Sequence, residues 1–426
     1  MIKSNPRSFR LVCSLDNKNK VLSLLSSQGI IFEEEPFSPW CYKLIESPIP
    51  LGSSIAAYFG YIYIQDRSSM LPPLALPCEN GDFVLDMCAS PGGKTSFLAQ
   101  KVGVNGFVLA NEPSKNRFGT LRANINMMNL IHVGMCSYIG EKIPLLNNSC
   151  SRILLDPPCS GWGTSEKHPK VLTLWKGDKV DNLILLQRKL LEKASKLLCE
   201  NGLLLYSTCT TNAQENEEQV LFAEKELGFT RINLSKFEGF TFVDFKGGEG
   251  CLRVDGEKSS SQGFFLALLK KSAPNEVNFN EEIEKSIFKF NNSKEKWSEL
   301  SKKDLEYENF DISELLDCGY VRLYGQTVRF IPRLADILPE TFIWQGAKLG
   351  VIGKNGFMPN NRLRSCLPKI EKNINKVVFD NTNDILQLLT GKKWQTSLKG
   401  KSAILFWQNL PLGRIGLKDG RVVLKF

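Results

Sequence analysis

Two cysteines stand where two apolar segments of the chain end. Cys159 follows the segment SRILLDPP and Cys209 follows GLLLYST, 50 positions apart. Such a pair could be a disulfide, two metal ligands, two inert core thiols or two parts of one catalytic site. The last possibility predicts covalent chemistry, because a cysteine thiolate is a nucleophile that can form a bond to a substrate.

The composition narrows these possibilities. The chain has 426 residues and 12 cysteines without any C-x-x-C pair, which favours reduced thiols in a cytoplasmic protein. The 2 histidines, His132 and His168, nearly exclude a Ser-His-Asp triad or a multi-histidine metal site, so we predict no metal. No apolar run of roughly 18 residues and no signal peptide are visible, so we predict no membrane association.

The elements that must position the cysteines lie between Gly81 and Lys271. Apolar segments alternate there with amphipathic helical segments, as in FVLDM (83–87), GFVLANE (106–112), RILLD (152–156) and GLLLYS (202–207). This alternation predicts an α/β fold with a mostly parallel sheet that helices cover on both faces. Ligands of such sheets bind beyond the carboxyl ends of the strands, which is where Cys159 and Cys209 lie.

A glycine-rich turn follows the first of these strands in VLDMCASPGGKT (84–95). It is not a phosphate-binding P-loop, because Cys88 occupies the position of the first required glycine. Two glycines that open a helix still suit close approach to a nucleotide-like cofactor, although they could merely form a turn. Glu112 closes the next strand and is placed to bind ribose hydroxyls.

The DPPC segment at 156–159 predicts a rigid loop, because two prolines cannot continue a strand. Methyltransferases acting on exocyclic amines usually carry an aromatic residue after the two prolines, and here Cys159 takes that position. A thiolate that adds to carbon 6 of cytosine would activate carbon 5 toward a methyl donor. A second cysteine could assist product release, and Asp156 could stabilise the adduct near ring nitrogen 3.

These residues resemble the Sun/Fmu-type family of S-adenosylmethionine-dependent RNA cytosine-5 methyltransferases. The resemblance covers about residues 40–272 and is carried by IQDRSSMLPPLAL, DMCASPGGKTS, ANEPSKNR, LDPPCSGWGT and YSTCT, in the family's order. It implies a Rossmann-like class I methyltransferase fold with a seven-stranded sheet and S-adenosyl-L-methionine as cofactor. It also implies Cys209 as the nucleophile, Cys159 as the release cysteine, and Lys94 and Asp156 in the catalytic pocket. The implied cofactor-binding residues are Cys88, Ala89, Ser90, Pro91, Gly92, Gly93, Lys94, Glu112, Arg117 and Asp156.

One segment departs from the family pattern. The family usually has an aspartate after the third strand that contacts the adenine, whereas this chain has Ser137 and Tyr138 there. A backbone group or Tyr138 could replace the missing contact.

The charge is concentrated in the C-terminal part of the chain. Residues 311–426 carry 18 Lys/Arg against 9 Asp/Glu, which accounts for the whole net charge of +9. A basic surface of this kind favours a polyanionic partner such as RNA, and the stretch 388–426 is similar to the PUA-like module of bacterial rRNA-modifying members of the family. By that resemblance we expect rRNA as the substrate before tRNA.

These observations predict four parts in a chain that we expect to be a monomer. They are an α+β segment (1–60), a methyltransferase domain (61–272), a polar linker (273–310) and a basic β-rich PUA-like domain (311–426). Two other functions stay open: methylation of an exocyclic amine, and an RNA-binding ribosome-assembly factor with a degenerate methyltransferase fold. DNA is a further possible substrate, and only the resemblance to the family favours RNA over it.

Overall fold

The computed structural model describes residues 7–165, 170–174, 178–272, 297–368 and 374–424. His168 and most of the predicted linker lie outside these residues. The described chain forms a central mixed sheet, one sheet before it and two sheets after it. Within these ranges, no helix combines the length and the apolar character that crossing a bilayer requires.

Seven strands make up the main part of the central sheet. In chain order they are β1 (Phe83–Asp86), β2 (Phe107–Asn111), β3 (Val133–Cys136), β4 (Cys150–Leu155), β5 (Leu198–Thr208), β6 (Phe229–Ile232) and β7 (Phe264–Lys271). Their order across the sheet is β3-β2-β1-β4-β5-β7-β6. The strands β1 to β5 are parallel, and β7 is antiparallel to both of its neighbours. The predicted Rossmann-like fold is confirmed, and the sheet is mixed, with β1 to β5 as its parallel part.

The predicted number of strands needs correction. Within the described residues the central sheet has nine strands rather than seven. Leu252–Val254 pairs with β7, and Trp344–Gln345, far along the chain, pairs with β3. Both are too short to show a strand period in the sequence, so their pairing follows from tertiary packing.

Helices cover both faces of this sheet because its strands are apolar on both sides. On one face, α1 (Gly93–Val102) and α2 (Lys115–Met128) pack on side chains such as Val84 and Val108. On the other face, α3 (Asp178–Leu197) and α4 (Glu217–Glu226) pack on Leu85 and Leu109, which directly follow Val84 and Val108 in the chain. Successive strand residues point to opposite faces, so this alternation accounts for the two cores.

The strand order reverses between β1 and β4, whose outer neighbours are β2 and β5. Loops that leave the carboxyl ends of strands diverge at such a point and leave a crevice, which is the usual ligand site of open α/β sheets. The glycine-rich turn after β1 and the DPPC segment after β4 both open at this crevice.

The first and last parts of the described chain share one hydrophobic core. The N-terminal sheet consists of Ser8–Leu11, Ile31–Glu35, Ser38–Glu46 and Ile62–Ile64, with the helix Leu15–Ser27 beside it. The last sheet consists of Lys376–Phe379, Trp394–Gln395, Ser402–Trp407, Leu410–Lys418 and Arg421–Val423, with the helix Thr382–Leu389. Buried residues of both parts, including Phe9, Leu24, Leu405 and Leu412, pack together, so the N-terminal segment is braced by the C-terminal one.

A third sheet lies between these parts in the chain. Its strands are Ser298–Glu299, Gly319–Tyr324, Thr327–Pro332, Ala347–Gly353 and Gly356–Pro359, and the helix Ser313–Cys318 precedes the second strand. The predicted division at residues 60, 272 and 310 and the PUA-like character of the C-terminal part stay predictions.

Candidate active site

The crevice brings the two cysteines of DPPC and STCT together. Cys159 Sγ and Cys209 Sγ lie 3.3 Å apart, and one thiol donates a hydrogen bond to the other sulfur. Each of the twelve cysteines lies in the described part of the chain and is a free thiol. This distance is too long for a disulfide bond, so the two cysteines form a pair of neighbouring free thiols. Among the described residues, no cluster of His, Cys, Asp and Glu side chains is arranged to hold a metal ion.

The surroundings of the two sulfurs make them unequal. The hydrogen bond from Cys159 lowers the pKa of Cys209, and the Lys94 ammonium acts in the same direction against burial and the Asp156 charge. The same hydrogen bond, together with burial, raises the pKa of Cys159. Cys209 is therefore the sulfur that ionises first, with Cys159 as its hydrogen-bond donor. Burial raises the pKa of the nearby Cys88 thiol, so Cys88 is a poor nucleophile.

An ion pair stands beside the thiols. Lys94 Nζ donates to Asp156 Oδ2 at 2.7 Å, and Ser207 Oγ donates to Asp156 Oδ1 at 2.8 Å. Burial opposes the charge on Lys94, but the Asp156 carboxylate outweighs it and raises the pKa of Lys94. The sequence identified Lys94 and Asp156 but missed Ser207, although it lies at the carboxyl end of β5, two residues before Cys209.

The glycine-rich turn is held in a narrow loop. Gly92 has a φ of +105°, which favours glycine, and its amide donates to Ala89 O at 2.8 Å. A Cβ atom on Gly93 would lie 2.8 Å from Tyr63 Cε1 and 2.9 Å from Gln65 Oε1. The loop therefore depends on two glycines, one for its backbone conformation and one for its close packing.

The predicted cofactor residues after β2 are tied to this loop. The Glu112 carboxylate is buried, accepts from the Ser114 amide at 2.8 Å and lies 3.5 Å from Arg117 Nε. Arg117 Nη2 donates to Ser90 O at 2.9 Å, and Ser90 Oγ donates to Arg117 O at 2.9 Å. The loop of residues 88–94 and the carboxyl end of β2 thus form one polar edge of the crevice.

This edge fits a cofactor that carries ribose hydroxyls and an amino group. Asp86 Oδ1 is buried and finds no hydrogen-bond partner in the described part of the chain. Within the described residues, Glu112 Oε2 lies 3.5 Å from Arg117 Nε, which is long for an ion pair with a shared hydrogen bond. Both carboxylate oxygens therefore have capacity to accept hydrogen bonds from a ligand.

Tyr138, the expected substitute for the adenine contact, packs its side chain against a distant segment of the chain. Its hydroxyl accepts a hydrogen bond from the Ile343 amide at 2.8 Å, and its ring packs 4.9 Å from the Phe342 ring. The ring is 2% exposed. It therefore anchors the segment that carries the added strand Trp344–Gln345, which the sequence pattern around 134–139 could not reveal.

Gly163 provides a test of how closely the two cysteine loops must pack. A Cβ atom there would lie 2.4 Å from Gly263 O and 2.8 Å from Cys209 O, so we expect Gly163→Ala to lower the free energy of unfolding by about 1–3 kcal/mol. Gly119→Ala is the matched control, because no atom lies within 4 Å of its Cβ position. Thermal unfolding should show a lower midpoint for the first variant alone; equal midpoints would refute the close packing.

Asp86 should make the stability of the protein depend on pH. Burial, opposed by the hydrogen bond from Thr95, raises the pKa of Asp86 to about 7. The folded protein therefore holds a proton that the unfolded chain releases near pH 4, and the free energy of unfolding falls as pH rises between these values. In urea unfolding without cofactor, Asp86→Asn should gain stability relative to wild type on going from pH 5 to pH 8. A constant difference would contradict this assignment.

Comparison with solved structures identifies the fold. The chain is similar to a methyltransferase homologue from Pyrococcus horikoshii, with 28% identity and a TM-score of 0.55, covering 63% of this chain and 87% of that one. It also shares its fold with NSun6 from Pyrococcus horikoshii with SFG, at 22% identity and a TM-score of 0.55, covering 63% and 91%. The prediction of S-adenosyl-L-methionine as the cofactor is confirmed by these methyltransferases and by the family.

Comparison with known sequences identifies the family. Residues 73–270 match the profile of the family described as 16S rRNA methyltransferase RsmB/F. Ribosomal RNA small subunit methyltransferase F of Shewanella amazonensis is 34% identical over 264 residues, 59% of this chain and 55% of that protein. The Vibrio vulnificus protein of the same name is 32% identical over 363 residues, 81% and 74% respectively. The match thus spans from about half to three quarters of the relatives' length. The resemblance to the Sun/Fmu type is confirmed, and the chain belongs to the 16S rRNA methyltransferase RsmB/F family.

Proposed function

We propose that the protein methylates carbon 5 of a cytosine in small-subunit ribosomal RNA through a covalent bond to Cys209. The observation that carries this proposal is the 3.3 Å contact between Cys159 Sγ and Cys209 Sγ at the carboxyl ends of β4 and β5. Methylation of an exocyclic amine requires neither thiol, so a paired and polarised thiol site favours carbon methylation.

The first step uses the Cys209 thiolate as the nucleophile. Its sulfur forms a bond to carbon 6 of cytosine, and the electron pair displaced from the 5,6 double bond makes carbon 5 nucleophilic. S-adenosyl-L-methionine supplies the methyl group that carbon 5 receives. The residues of this chain hold the ring, supply the thiolate and keep the reacting atoms in place.

The second step restores the enzyme. The proton on carbon 5 leaves to a base, the double bond reforms and the bond from Cys209 Sγ to carbon 6 breaks, which returns the Cys209 thiolate. We assign Cys159 to this release, because its sulfur lies beside the sulfur that must depart. Loss of Cys159 should therefore slow release more than addition.

Asp156 and Lys94 serve the cytosine ring in this proposal. Addition of a thiolate at carbon 6 places negative charge on the ring. A proton taken up from solvent at ring nitrogen 3 neutralises this charge, and the Asp156 carboxylate accepts a hydrogen bond from the resulting N–H group. The Asp156 carboxylate is held from two sides, by Lys94 at 2.7 Å and by Ser207 at 2.8 Å. Such an orientation costs little reorganisation when the substrate binds.

The substrate assignment rests on charge and on the relatives. A cavity of about 370 Å³ on the last sheet is lined by Lys392, Lys393, Lys418 and Arg421, with Asp419 as the acidic member of the lining. Exposed cations of this density suit an RNA phosphate backbone. The names of the relatives favour small-subunit rRNA over tRNA. A cytoplasmic location and a monomeric state, both expected from the sequence, stay part of this proposal.

The decisive assay uses the full chain with methyl-tritiated S-adenosyl-L-methionine and three substrates: protein-free small-subunit rRNA, small ribosomal subunits and tRNA. Bisulfite sequencing then locates 5-methylcytosine. Label in rRNA at a bisulfite-resistant cytosine supports the proposal. Label in tRNA alone would show that tRNA, not rRNA, is the substrate. Label at an exocyclic amine would show that the enzyme methylates nitrogen rather than carbon 5. RNA binding without any methyl transfer would favour the degenerate assembly factor.

A further inference from the structure

A buried carboxylate lies between the loops that carry the two cysteines. Glu215 ends the helical turn Ala213–Glu215, six positions after Cys209, and its side chain is fully buried. Its backbone carbonyl accepts from the Tyr206 hydroxyl at 2.7 Å. A buried carboxylate has to be matched by hydrogen-bond donors, so the donors around Glu215 indicate what it organises.

The first set of donors belongs to the Cys159 loop. Glu215 Oε1 accepts from the Ser160 amide at 2.9 Å, and Glu215 Oε2 accepts from Ser160 Oγ in a short hydrogen bond. Gln187 Nε2 donates both to Glu215 Oε1 and to Pro158 O, each at 3.0 Å. The peptide groups on both sides of Cys159 are therefore fixed directly or through Gln187.

The second set belongs to the Cys209 loop. Asn212 Nδ2 donates to Glu215 Oε2 at 3.1 Å. Ser160 Oγ also lies 2.7 Å from Thr210 Oγ1, so the residue after Cys159 is joined to the residue after Cys209. The four donors thus reach one carboxylate from both cysteine loops and from α3.

We propose that Glu215 is a positioning residue that fixes the Cys159 and Cys209 loops at the separation at which one thiol can donate to the other. This inference rests on the proposed function for its catalytic meaning. Glu215 touches neither sulfur, so it acts through Ser160, Gln187 and Asn212. Hydrogen bonds to a charged acceptor are about twice as strong as neutral ones, which suits a carboxylate to holding two loops.

A conservative substitution separates the hydrogen-bonding role of the Glu215 carboxylate from the effect of its side-chain volume. Glu215→Gln keeps the shape but places an amide NH₂ group where an oxygen accepted two hydrogen bonds, so two donors lose their acceptor. We expect the loops to relax and the hydrogen bond from Cys159 to Cys209 to weaken. The fraction of Cys209 present as thiolate at neutral pH should then fall.

The experiment measures alkylation of Cys209 by iodoacetamide from pH 5 to 10 in the full chain, read on its peptide by mass spectrometry. Glu215→Gln should slow alkylation at pH 7 by about tenfold, which corresponds to a rise of one unit in the pKa of the thiol. Ser160→Ala, which removes one donor, should shift the profile less in the same direction. Glu217→Gln is the matched control, because Glu217 is buried two residues further on and pairs with Arg253 instead.

An unchanged Cys209 profile in folded Glu215→Gln would overturn the proposal. If that variant does not fold, Ser160→Ala decides: a shifted profile supports the proposal and an unshifted one overturns it. An equal shift in Glu217→Gln would show a general packing effect and would also overturn it. The readout needs no RNA, so a shifted profile in a protein that transfers no methyl group would refute the proposed function and leave the positioning role intact.

Discussion

Replacing Cys209 with serine should reduce methyl transfer by at least about 10³-fold, which corresponds to about 4 kcal/mol of activation free energy. The change keeps the side chain nearly the same size but removes the thiolate, because a serine hydroxyl stays protonated at neutral pH without a dedicated base. Steady-state methylation of small-subunit rRNA with tritiated cofactor measures the loss.

Cys199→Ser is the matched control for this prediction. Cys199 lies on β5, the strand that Cys209 follows, and outside the thiol pair, so its substitution tests the chemical change without touching the site. Cys209→Ser with more than about a tenth of wild-type activity would exclude Cys209 as the nucleophile.

Asp156→Asn should have the second largest effect, and it should affect both activity and stability. The substitution removes the partner of Lys94, which is 15% exposed at its side chain, and leaves a mostly buried charge without compensation. Breaking a buried pair in this way costs about 3 kcal/mol or more. We expect methyl transfer to fall by at least about 10²-fold, because the proposed mechanism uses this carboxylate to stabilise the cytosine adduct.

Two measurements separate these effects. Urea unfolding gives the stability loss, and methylation at a temperature where the variant is fully folded gives the catalytic loss. Ser207→Ala removes one hydrogen bond from Asp156, so we expect it to lose less stability and less activity than Asp156→Asn. If Asp156→Asn is destabilised but transfers methyl groups at the wild-type rate, Asp156 braces Lys94 and has no part in the reaction.

Much of the methyltransferase fold could be predicted from local patterns in the sequence. The apolar runs before Cys159 and Cys209 end strands whose carboxyl ends must meet at one edge of a parallel sheet, so the meeting of the two thiols followed from the sequence. Lys94 and Asp156 were implied by the family motifs, and the structure places them within hydrogen-bond distance.

The remaining features depend on contacts between distant parts of the chain. Glu215 reads as one of several acidic residues in QENEEQ, and its burial appears only when α3 and both cysteine loops close around it. Tyr138 was an expected cofactor contact by resemblance, and its packing against Phe342 and Ile343, some 200 residues away in the chain, could not be predicted from the sequence. The core shared by Phe9 and Leu405 is likewise invisible to periodicity, which shows that a face is apolar but not what covers it.

The central claim is that Cys209 attacks the base and Cys159 releases it. Its most direct test incubates wild type, Cys159→Ala and Cys209→Ala with small-subunit rRNA and S-adenosyl-L-methionine, and resolves covalent protein–RNA complexes on a denaturing gel. We expect a complex that accumulates with Cys159→Ala, is faint with wild type and is missing with Cys209→Ala. A complex that accumulates with Cys209→Ala instead would reverse the two roles, and methyl transfer by both variants without any complex would contradict covalent catalysis.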